Sequence, residues 1–69
     1  MSAIHVRTLI EALDKPGIVE ELTERTGYPV HMVFETIIEA RRDGYDIQAI
    51  QGPVRGDPTT FKLTRSPIA

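Results

Sequence analysis

The stretch EELTERTGYPVHMVFETIIEARRDGYDIQAI, residues 20–50, holds two helical patterns parted by a glycine and then changes period. Ahead of the glycine, Ile18, Val19 and Leu22 supply a buried side, while Glu20, Glu21, Glu24 and Arg25 mostly face water. Acidic residues in a first turn suit the positive end of the helix dipole, so a helix is predicted over about 18–26. Gly27 can adopt the left-handed conformation that closes it. Two residues later a longer pattern opens at Pro29, which fits a first helical turn because its missing N–H has no intrahelical partner there. Val33, Ile37 and Ala40 recur at i, i+4 and i+7 as a core-facing row. Arg41 and Arg42 sit in the last turn, where positive charge is favourable, and Gly44 closes the element, predicted over about 29–43.

Upstream, SAIHVRTLIEALDKPG (residues 2–17) carries Val6, Leu9, Ile10 and Leu13 at helical spacing. The pattern predicts a helix over about 3–14, with Ser2 as N-cap and Pro16-Gly17 as its end. Downstream, YDIQAIQ alternates as a strand does, GPVRGDP is dense in turn formers, and TTFKLTR alternates again. These segments predict a β-hairpin over about 45–65, with a loop of roughly six or seven residues. Three helices followed by a hairpin, with a tight glycine turn between the second and third, make an α+β fold of the winged helix-turn-helix layout. The whole chain, 1–69, is expected to be one such domain.

The details give the layout a family likeness. Over about residues 4–66 the chain resembles the N-terminal DNA-binding domain of biotin operon repressors and related small bacterial and phage regulators. Leu22 lies five residues before the turn glycine, and Val33 and Ile37 lie six and ten after it, as in that family. The family's Leu-Arg-x-x-Gly helix ending appears as Ala40, Arg41 and Gly44, and its wing strands appear as YDIQAIQG and FKL. The chain departs from the family at the reading helix. Pro29 and Val30 stand where the family has Ser or Thr followed by Arg or a small polar residue, and Phe34 and Glu35 stand where it tends to carry Asn and Lys. The loop between the first two helices is also shortened. The resemblance implies a fold and a DNA-binding role, and nothing about biotin.

Composition bounds the rest. A chain of 69 residues forms a marginal core, which dimerisation or a partner would supplement. It has no cysteine, so disulfides and thiolate metal sites are excluded. No run has the length of a membrane span, and a cytoplasmic location is the default expectation. Ten acidic against eight basic residues leave a net charge of −2, which weighs against strong non-specific DNA binding by a lone monomer. His5 and His31 are too few for a protein metal site, and neither a phosphate-cradling loop nor a nucleophile arrangement occurs. No enzyme, cofactor or small-molecule ligand is therefore expected.

Two functional readings stay open. In the first, double-stranded DNA is the partner, bound by a dimer or with a second protein. The third helix then enters the major groove with Val30, His31, Phe34 and Glu35 as its reading residues. His31 can donate to a phosphate or to guanine, Glu35 can accept from cytosine, and Val30 and Phe34 can touch thymine methyls. Arg55 at the hairpin tip, with Lys62 on the return strand, would add backbone or minor-groove contacts. This reading predicts strongly salt-dependent binding, weakened by Arg55→Ala and His31→Ala. For His31, Glu35 and Arg55 a plain solvated side chain is the competing account. In the second reading Val30, Phe34 and Ile38 form a protein or homodimer interface. Val30, Val33, Phe34, Ile37, Ile38 and Ala40 fill an arc of roughly 160°, wider than the somewhat more than 100° that one packed side needs. That excess implies either a helix buried on two sides or an exposed apolar interface.

Overall fold

Helices occupy most of the first two thirds of the chain and strands the rest. A computed structural model describes residues 2–67, with side chains from Ile4 onward. In chain order the elements are α1 (Ser2–Ala12), β1 (Gly17–Ile18), α2 (Val19–Thr26), α3 (Val30–Arg42), β2 (Asp46–Ile50) and β3 (Thr60–Arg65). Three helices followed by an antiparallel hairpin give the α+β, winged helix-turn-helix layout. The sheet has three strands rather than two, in the order β1-β3-β2.

The additional strand changes the reading of the α1–α2 connection. Helix α1 stops at Ala12, two residues before the expected end. Leu13 and Asp14 form a turn in which the Asp14 N–H donates to the Glu11 carbonyl at 3.2 Å, the tightening common at helix ends. The Ser2 side chain, read as the N-cap, lies outside the described residues. Gly17 is not a helix exit, as its spacing suggested. It has no positive φ and pairs with Phe61, while Ile18 pairs with Thr60. Its lack of a side chain serves packing, because a Cβ there would lie 2.9 Å from Arg25 Nη1. That guanidinium, expected to face water, donates to the carbonyls of Ala12 (3.0 Å) and Lys15 (2.8 Å) and so caps α1. Ile18 precedes α2 in extended conformation, and its N–H is held by the Glu21 carboxylate at 2.9 Å. This is the carboxylate half of a capping box.

The helix-turn-helix closes as the glycines predict. Gly27 has φ 77° and its N–H donates to the Thr23 carbonyl at 2.8 Å. Pro29 is the residue before α3 rather than its first member, and its carbonyl accepts from Met32 and Val33. At the far end Gly44 has φ 103°. Its N–H donates to Arg41 O, and the Tyr45 N–H donates to Ala40 O, the paired bonds of a Schellman motif. Arg41 then donates from Nε and Nη2 to the Ile47 carbonyl, at 3.2 and 2.8 Å, tying α3 to β2.

The core gathers Val6, Leu9 and Leu13 of α1 and its turn, Leu22 of α2, Val33, Ile37 and Ala40 of α3, and Ile47 and Phe61 of the sheet. Thr36 is also buried, and its hydroxyl donates to the Met32 carbonyl at 2.7 Å, which removes the penalty of an unpaired polar group. In the hairpin, Ile47 faces Leu63, Gln48 faces Lys62, Ala49 faces Phe61 and Ile50 faces Thr60, with a bulge beside Asp46. The ladder stops at Ile50 and Thr60, so the connection covers residues 51–59, longer than the turn formers alone suggested. Side chains close it instead: Thr59 Oγ1 donates to Gln51 Oε1, Gln51 Nε2 to the Asp57 carbonyl, and the Val54 N–H to the Asp57 carboxylate. Gly52 fits beneath Asp57, where any Cβ would overlap that side chain.

Candidate nucleic-acid interface

Helix α3 turns Val33, Ile37 and Ala40 into the core. At about 100° per residue, the row directly opposite is His31, Glu35, Ile38 and Arg42, all exposed. Val30, Phe34 and Arg41 lie on the flank that faces the wing. The apolar excess of the helix is therefore surface: Val30 is 48%, Phe34 45% and Ile38 51% exposed. Between the two accounts of the wide arc, burial on both sides is the one that does not hold for these three side chains.

Phe34 packs against the wing although half exposed. Its ring meets Phe61 edge to face, with centroids 6.2 Å apart and planes at 74°. Together with Val19, Glu20, Pro58, Thr59 and Phe61 it lines a cleft of about 280 Å³ between the start of α2, α3 and the return limb of the wing. On the other flank, His31 and Glu35 line a cleft with His5, Met32, Thr36 and Glu39, at the α1 side of the helix. His5 itself stacks edge to face on Tyr28, with centroids 5.4 Å apart. Among the described residues no group of three or more His, Asp or Glu side chains could hold a metal ion.

The wing tip carries exposed Val54 and Arg55, held on a turn by the Asp57 contacts and by Gly56 at φ 96°. Lys62 is placed differently from the other candidates. It faces Gln48 across the ladder, and strand alternation sets it on the sheet face opposite to buried Phe61. Val30, His31, Phe34, Glu35 and Ile38 thus share one helix surface, the wing's return limb borders it at Phe34, and Lys62 leaves the wing from the other face. Arg42 went unsingled in the sequence because its place in the last turn suggested dipole compensation. The signal was present, since it follows Ile38 by four residues and so falls on the same row.

Comparison of the chain with protein-family models, with curated proteins and with solved structures gives no match. Among the described residues, no helix is long and apolar enough to cross a membrane.

Proposed function

We propose that the chain is a small DNA-binding transcriptional regulator that lays α3 in the major groove and touches the duplex with the wing tip. One observation carries the reading. The core is complete with Val33, Ile37 and Ala40, so the outer row of α3 and its wing-side flank are free for a ligand, beside a wing with an exposed arginine at its tip. The residue matches to the N-terminal domains of biotin operon repressors point the same way. In this reading His31 and Arg42 contact phosphates or base edges, Glu35 accepts from a base amino group, and Arg55 contacts the backbone or the minor groove. The direct test is fluorescence anisotropy of labelled random and genomic duplexes titrated with protein at low and rising salt. Sub-micromolar binding that falls with salt supports the reading, and absence of binding at low salt overturns it.

A second reading has its own support in the half-exposed Val30, Phe34 and Ile38 and in the net charge of −2. It makes the domain a protein-binding adaptor or modulator, with those three residues as the interface. Loss of partner or self-association in a folded Phe34→Ala variant supports it. Unfolding of that variant would return Phe34 to the core and remove its centre.

A further inference from the structure

From Val30 to Ile38 the outer surface of α3 lacks the side chains that most often distinguish bases. Bidentate readers are Arg or Lys for guanine and Asn or Gln for adenine, and none of these occupies Val30, His31, Phe34, Glu35 or Ile38. The surface offers an apolar stripe instead. The only apolar feature that base pairs present in the major groove is the thymine C5-methyl group. We infer that Val30, Phe34 and Ile38 read thymine methyls, so that the domain selects thymine-rich duplex; this rests on the DNA-binding reading above.

Three features of the molecule carry the inference. The three side chains are spaced four residues apart, so from Val30 to Ile38 they span about 12 Å of helix axis, or three to four base steps at about 3.4 Å each. Phe34 is held in place by its edge contact with Phe61, so little rotamer freedom remains to be lost on contact. Polarity suits a duplex at both ends of the stripe: no acidic residue lies in the first turn of α3, His31 beside Val30 is a hydrogen-bond donor, and the Arg42 charge follows Ile38 by one turn. Glu35 between them needs an amino donor, which cytosine N4 and adenine N6 both supply, so it selects neither pair.

The test compares three duplexes of equal length by anisotropy: one of A·T pairs, the same duplex with deoxyuridine in place of thymidine, and one of G·C pairs. Replacing thymidine by deoxyuridine deletes only the methyl groups. Each buried methyl lost is expected to weaken binding about fourfold, so engagement of two or three should give more than about tenfold preference for the thymidine duplex. Ile38→Ser, which alters a half-exposed residue and should lower the thermal midpoint by no more than about 8 °C, should reduce that preference. Equal affinity for the thymidine and deoxyuridine duplexes, or an unaltered preference in folded Ile38→Ser, overturns the methyl reading while DNA binding stands. Failure to bind any of the three overturns the DNA-binding reading itself.

Discussion

At the scale of single residues, the contact between Gly17 and Arg25 is the least local feature of the helical half. The guanidinium bonds the last carbonyl of α1, that of Ala12, and the Lys15 carbonyl of the following turn, and lies where a side chain on residue 17 would have to sit. Arg25→Ala is expected to lower stability by about 1 kcal/mol, the usual net value of exposed hydrogen bonds of this kind. Gly17→Ala should have a similar effect by pushing the guanidinium aside, because the backbone there accepts any residue and the clash is with the end of a flexible chain. The two effects should not add, since each removes the same contact. Urea denaturation of both single variants and the double variant measures this, and full additivity would refute the shared contact. Gly27 differs, with φ 77° and open space around it. Gly27→Ala is expected to cost about 1–2 kcal/mol from the left-handed backbone alone. Gly27 was legible in the sequence because its role is local, between two periodic patterns. Gly17 was not, because what fixes it is an arginine on another element and a strand more than forty residues away.

At the scale of elements, α2, α3 and the two long strands were legible because each carries enough residues for its period to show. Strand β1 has two residues, and two residues have no period; it exists because Phe61 and Thr60 offer an edge to pair with. Periodicity also gives the width of an apolar arc without saying how far a neighbour covers it. That is why Val30, Phe34 and Ile38 could be read as core or surface until the wing's position was known. The distinction predicts a sharp contrast between adjacent positions on α3. Ile37→Ala empties part of a close-packed core and is expected to destabilise by about 2–5 kcal/mol. Ile38→Ala removes a half-exposed side chain and should change stability by less than about 1 kcal/mol. Thermal or chemical denaturation of the two variants tests the rotation of α3 directly, and similar losses for both would place Ile38 in the core.

At the scale of the whole molecule, the question is whether so few cations suffice for a duplex. The domain measures 37 × 25 × 17 Å, so one copy covers at most about one turn of B-form DNA, 34–36 Å. On the proposed binding side the permanent positive charges are Arg42 and Arg55, beside the negative Glu35 and with His31 as a further donor, whereas Arg41 is engaged with the Ile47 carbonyl and Lys62 leaves the opposite face of the sheet. Two neutralised phosphates imply a slope of log affinity against log salt of about −2 per copy. Affinity should then fall about tenfold between roughly 50 and 200 mM salt. Arg55→Ala should make the slope shallower by about 0.9 and weaken binding to all sequences alike, while Lys62→Ala should change it less. A wild-type slope near zero would mean that Arg42 and Arg55 meet no phosphates, and a slope several times steeper would require additional copies on the duplex. Either result is read from one titration series, because the slope counts charges independently of the sequence that the stripe selects.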